Sequence, residues 1–160
     1  MFLSVFDIFK IGVGPSSSHT MGPMIAAARF LDELRSVAAT CSADRRPRRL
    51  SASLHGSLAF TGTGHATDRA VILGLLGFRP DTLDPDAAKR LEQELRQSGS
   101  HEVSGIDRLA FSPDSDLIFD YGPPLPGHAN GLIFTATAPN GMLILRKIYY
   151  SIGGGFVLSE

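Results

Sequence analysis

Cysteine is almost missing from this sequence of 160 residues, where Cys41 stands alone. One thiol closes no internal disulfide, so the fold must rest on its core, and the composition suits the reducing cytoplasm. No Cys-x-x-Cys or His-x-Glu spacing occurs, which removes the usual sequence support for a histidine- or cysteine-built metal site. An excess of either charge is missing too. Lys plus Arg number 15 and Asp plus Glu 16, for a net charge of -1, so the basic footprint of a nucleic-acid binder is absent. No apolar run is long enough to span a membrane or direct secretion, because Phe2 to Ile11 is short and is interrupted by Asp7 and Lys10. The Gly-x-Ser-x-Gly elbow of many serine hydrolases does not occur. None of Lys10, Lys89 and Lys147 sits in the glycine-rich setting that pyridoxal phosphate requires.

What is present suits one folded unit. Hydrophobic residues make up 43% of the chain and charged residues 19%, enough to bury a real core in a single domain. Met24, Ala27, Ala28, Leu31 and Leu34 recur at helical spacing, with Pro23 tolerated in the first turn. Arg45, Arg46, Arg48 and Arg49 around Pro47 read as a solvated connector. Leu50, Ala52 and Leu54 then alternate with Ser51, Ser53 and His55, the period of a half-buried strand that leaves His55 on the outer, polar face. "GSLAFTGTGHATD" reads as a glycine-rich connection into a buried helix over Ala70 to Leu76, capped by Thr67 or Asp68 and ended by Gly77. A surface helix is signalled by Asp84 before Pro85, Leu91 and Leu95, and Gly99.

The last third changes character. Short apolar runs at Leu117 to Phe119, Leu132 to Phe134 and Met142 to Leu145 read as strands. Asn140-Gly141 marks a two-residue hairpin in which both turn positions take positive φ. Gly153, Gly154 and Gly155 expose backbone to a ligand or simply loosen a strand end. This order of elements predicts an α+β domain with no regular βαβ array.

Three histidines stand beside glycines or hydroxyls: His19 in "SSSHTMG", His65 in "GTGHATD" and His128 in "LPGHANG". The run from Ser16 to Thr20 precedes a helix, where unpaired N–H groups favour an anion such as a carboxylate. Converging loops of this kind would make an acid–base site for a small polar substrate.

Taken in order, "SVFDIFKIGVGPSSSHTMGP", "GSLAFTGTGHATD", "LPGHANG" and "YYSIGGGF" resemble the β domain of the iron–sulfur-dependent L-serine dehydratases, the N-terminal domain of the single-chain bacterial form. The likeness runs from Ser4 to Phe156. It implies that residues 1–160 form one β domain with an αβαβββ-type core, a mixed β-sheet packed by helices. Such a core is related to the allosteric substrate-binding domain of some D-3-phosphoglycerate dehydrogenases. The implied reaction takes L-serine to pyruvate and ammonia, with a 4Fe–4S cluster in a separate α domain acting on the substrate hydroxyl. The resemblance makes His65 the base for the Cα proton. It gives Ser16, Ser17, Ser18, His19 and Thr20 the substrate carboxylate and amino group, and His128, Asn130, Ser151, Gly153 and Gly154 the rest of the wall. Cluster binding takes several thiolates, so Cys41 alone places the ligands outside this chain. The expected partners are that α domain, L-serine and further copies of the enzyme, and the chain by itself is expected to be inactive. The rival reading from the same kinship is a regulatory module that binds a small anion such as serine and does no chemistry.

Overall fold

The computed structural model describes residues 16–160. The apolar run from Phe2 to Ile11 and the Gly14-Pro15 pair lie outside the described residues. The α+β expectation is met. Helix α1 (Met21–Ala38) is followed by strand β1 (Arg49–Gly56), helices α2 (Ser57–His65), α3 (Thr67–Leu75) and α4 (Pro85–Ser98), and strands β2 (Ser100–Val103) and β3 (Asp107–Ala110). A short turn of helix, α5 (Pro113–Asp116), leads to β4 (Leu117–Asp120), β5 (Asn130–Thr137), β6 (Leu143–Gly153) and β7 (Phe156–Ser159). Reduced to α1, β1, α3, β4, β5 and β6, the order is α-β-α-β-β-β.

The seven strands form one mixed sheet in the order β2-β3-β1-β5-β6-β7, with β4 also on β1. One edge of β1 pairs antiparallel with β5 along its full length, Arg49 facing Thr137 and Gly56 facing Asn130. The other edge is shared. β3 meets it in parallel only where Arg49 faces Ala110, and β4 runs parallel to Ala52 to His55.

Alternation sorts the two faces. Leu50, Ala52 and Leu54 join Leu132, Phe134, Ala136 and Tyr149 in the core beneath α1. Phe30 of α1 stacks on Phe134 with ring centroids 5.3 Å apart. Glu33 of α1 ties the helix to β6. It accepts a 2.8 Å hydrogen bond from the Tyr149 hydroxyl and pairs with Lys147 Nζ at 3.4 Å. Burial, and then the Glu33 carboxylate, hold the Tyr149 phenol well above its ordinary range. α3 is buried almost all round, from Ala70 to Leu75. It crosses α1 so closely at Gly74 that a Cβ there would lie 2.4 Å from the Met24 carbonyl oxygen and 2.6 Å from the Ala27 Cβ. α4 is the surface helix that its sequence predicts, capped by the Asp84 carboxylate and ended by Gly99 at φ 68°. Its buried Glu92 pairs with Arg69 of α3 at 2.7 Å.

Several sequence expectations are corrected. "SLAFTGTGH" is helix α2, not a loop: Gly62 lets the helix pack so closely that a Cβ there would lie 3.2 Å from Phe119 and 3.3 Å from Thr67, and this packing outweighs the poor helix propensity of glycine. Neither Thr67 nor Asp68 caps α3. Its N-cap is Ala66, in the left-handed region at φ 55°. His55 is 7% exposed and shares a 2.8 Å hydrogen bond with the Ser53 hydroxyl, so its face of the sheet is covered there. The arginine connector does face solvent, and within it Arg46 and Arg48 pair with Asp107 and Arg49 with the buried Asp116. Asn140 is not at positive φ; Gly141 alone is, at 83°, after a Pro139-Asn140 turn closed by Gly141 N–H on the Ala138 carbonyl. β2, β3 and β7 carried no clear signal in the sequence.

The α1–α3 crossing generates a stability prediction. Gly74→Ala overpacks two helix backbones and is expected to cost about 1–3 kcal/mol, read as a lower urea midpoint with an unchanged far-ultraviolet spectrum. At Gly64 of α2 an added Cβ would meet nothing within 4 Å, so Gly64→Ala is expected to stabilise by up to about 1 kcal/mol.

Candidate active site at the end of the central strand

The site is built where β1 stops. Gly56 takes φ 58°, and a Cβ at this position would lie 2.2 Å from the Ala129 carbonyl oxygen. That carbonyl accepts a 2.8 Å hydrogen bond from the Ser57 N–H, and α2 begins. β1, the loop before β5 and α2 therefore meet at Gly56 and Ser57.

The serine run lies against this corner. His19 N–H and Thr20 N–H both donate to the Ser16 carbonyl, at 3.2 and 2.9 Å, making a tight turn before α1. The C-terminal glycine hairpin holds the turn from its other side. The Ser151 hydroxyl donates to the Ser18 carbonyl at 2.7 Å, and Gly154 N–H donates to the Ser17 hydroxyl at 3.1 Å. Gly153, Gly154 and Gly155 all have positive φ, which makes the β6–β7 reversal a glycine requirement. Gly22 clears the way, since a Cβ there would fall 1.9 Å from the Ser151 hydroxyl.

Two imidazoles come together at the centre. His19 and His65 have ring centroids 4.8 Å apart and planes tilted by 47°. His65 is the last residue of α2, just before the left-handed Ala66. Hydroxyls surround the His19 ring. Nδ1 lies 3.0 Å from the Ser18 hydroxyl and 3.4 Å from that of Ser16, and Nε2 lies 3.1 Å from that of Ser57. Burial first, and then the like charge of His65, lower the His19 pKa below 6.5, against an opposing contribution from the Ser57 backbone.

The other sequence-predicted residues are placed unevenly. Ser16, Ser17 and Ser18 are half-buried beside the histidine pair. Thr20 is 1% exposed, and its hydroxyl donates to the Ser16 carbonyl; Ser151 is fully buried. These two hydroxyls shape the turn. His128 is exposed, and its Nδ1 accepts the Asn130 N–H at 3.0 Å. It joins the site through its neighbour Ala129, which holds Ser57. The Asn130 amide donates to the Ser151 carbonyl at 3.1 Å and so ties β5 to the glycine hairpin. Ser57 was missed by the sequence reading. Its only signal was a small polar residue directly after a strand and a glycine.

A base beside several hydroxyls suits proton transfer on a small, charged substrate. Residues 4–160 match the family described as serine dehydratase beta chain. The chain belongs to this family. It is 43% identical over 160 residues to an L-serine dehydratase of Streptomyces coelicolor, covering 100% of this chain and 34% of that protein. It is 42% identical over 159 residues to L-serine dehydratase 2 of Escherichia coli, covering 99% of this chain and 34% of the relative. An L-serine dehydratase of Helicobacter pylori is 41% identical over 157 residues, with 98% and 33% covered. This serine dehydratase beta chain thus spans about a third of the length of the curated relatives it matches.

Its residues do not fit a resident iron–sulfur cluster. Cys41 is the one cysteine in the sequence, in the turn after α1. Among the described residues no three His, Cys, Asp or Glu side chains stand together as a metal site. No helix among them is long and apolar enough to cross a membrane.

The histidines of this beta chain set an acid limit on its stability. Burial lowers the pKa of His19, His55 and His101 alike, opposed at His55 by Asp120 and at His101 by the Leu75 carbonyl. A lowered folded-state pKa means that the unfolded chain binds the proton more readily, so stability falls as pH drops below about 6.5. The urea midpoint is expected to decline from pH 7 to pH 5.5. The decline is expected to be shallower in His101→Gln, because the His101 ring is enclosed and its Nδ1 has no hydrogen-bond partner among the described residues to receive an added proton.

Proposed function

We propose that this chain is the part of an iron–sulfur L-serine dehydratase that grips L-serine and removes its Cα proton, on the way to pyruvate and ammonia. The observation that carries the reading is the His19–His65 pair, 4.8 Å apart, at the meeting of the serine turn, α2 and the glycine hairpin. L-serine presents a carboxylate and an ammonium group, and the hydroxyls of Ser16, Ser17 and Ser18 match the first. Ser17 accepts from Gly154 N–H and keeps its own proton to donate. His128, on the exposed loop tied to Ser57 through Ala129, completes the rim. Asn130, Thr20, Ser151, Gly153 and Gly154 hold the walls in place behind these groups.

His65 acts as the general base. A neutral imidazole takes the Cα proton, and the like-charge neighbour His19 opposes double protonation of the pair. Elimination then breaks the Cβ–O bond, the hydroxide and the proton taken from Cα together making one water, and the enamine left behind tautomerises to an imine that a second water hydrolyses to pyruvate and ammonia. A 4Fe–4S cluster would be held by thiolates outside this chain, and the chemistry it would supply when bound is that of a Lewis acid. The exposed Phe60 of α2 and Tyr121, edge to face at 5.3 Å, offer the partner α domain an apolar landing surface. Cytoplasmic residence and assembly into a homo-oligomer accompany this reading.

A second reading has one observation in its favour. The hydroxyls alone would hold a small anion such as serine, as expected of kinship with the allosteric substrate-binding domain of D-3-phosphoglycerate dehydrogenase. Replacing His65 separates the two. In the complete enzyme with its cluster intact, His65→Asn is expected to lower turnover by about 10²–10⁴ while serine still binds. Turnover at the parent rate would sink the base assignment and leave the regulatory reading.

A further inference from the structure

The serine turn carries His19, and α2 carries His65, yet the two elements are 38 residues apart in sequence between His19 and Ser57. One side chain bridges them directly. Ser57 has its N–H fixed on the Ala129 carbonyl at 2.8 Å and its carbonyl engaged by the Thr61 hydroxyl at 2.7 Å. Gly56 before it is pressed against the same Ala129 carbonyl, with no room for a side chain between them. A hydroxyl on so restrained a backbone is a fixed point, and it lies 3.1 Å from His19 Nε2.

We propose that Ser57 is a positioning residue, which holds the His19 ring beside His65 and selects the ring's hydrogen-bonding state. This rests on the reading that the histidine pair is the reactive centre. The other ring nitrogen has two partners, Ser18 and Ser16, both from the turn that carries His19 itself. Ser57 is the one hydroxyl in the set that comes from a different element. Without it His19 keeps its local bonds but loses its reference to α2, and the imidazole spacing is no longer set from the strand end. Small misplacements of reacting groups are costly, since about 1 Å is worth up to 10²-fold in rate.

The experiment compares Ser57→Ala with Ser57→Thr, which restores the hydroxyl. Imidazole nitrogen shifts of His19 and His65, followed by heteronuclear NMR through a pH titration of the folded 160-residue chain, report the tautomer and the titration midpoint of each ring. In Ser57→Ala the His19 tautomer balance and midpoint are expected to move, and in Ser57→Thr to return toward the parent values. Unchanged His19 shifts in Ser57→Ala overturn the proposal. In the complete enzyme Ser57→Ala is expected to lower kcat about 10- to 100-fold with a smaller change in KM. A parent kcat alongside altered His19 shifts would leave the positioning intact and overturn the catalytic reading of the pair instead.

Discussion

The contact on which the site depends is the close approach of Gly56 to the Ala129 carbonyl. Any side chain at this position would strike the carbonyl oxygen, and any L-residue would resist φ 58°. Because glycine accepts both conditions, β1 stops against the loop that precedes β5, and its next residue donates to that same carbonyl. The helix that follows therefore starts in a fixed direction. His65, at the far end of that helix, and the Ser57 hydroxyl both inherit that direction.

The glycine hairpin performs the matching task from the other end of the chain. Three consecutive positive φ values reverse β6 into β7 and leave Gly154 N–H aimed at Ser17, while Ser151 reaches the Ser18 carbonyl. Gly22 then becomes necessary for a reason that its own neighbours in sequence do not show: it must admit Ser151. The serine turn is thus gripped by the C-terminal hairpin and referenced to α2 by one hydroxyl. These restraints are short-range and polar. The burden of holding the frame falls on the apolar layer of α1, α3 and the inner sheet face, with Glu33 and Tyr149 as a polar link across α1 and β6.

The frame disfavours a positive charge on the histidine that stands beside the candidate base. Burial and a like-charged neighbour both push His19 in that direction. The same environment costs stability in acid, since every buried imidazole resists the proton that the unfolded chain accepts.

By itself the sequence determined the elements whose signals are local. The period of Met24 to Leu34, the alternation of Leu50 to Leu54, and Asp84-Pro85 with Gly99 around α4 all depend on neighbours within a few residues, and each appears as read. The four motifs in order also sufficed to place the chain in its family. Tertiary structure alone decided the rest. "SLAFTGTGH" folds as a helix whose Gly62 packs on Phe119 and Thr67, contacts that no propensity contains. His55 is buried by chain that covers an outer face which alternation marks as polar. β2, β3 and β7 are strands because neighbouring strands supply their hydrogen bonds. Ser57 looks like any serine until the fold brings His19 to it from 38 residues away. The physical reason is the same in each case: a hydrogen bond or a packing contact between distant segments is a property of the pair, and the sequence around either partner does not record the other.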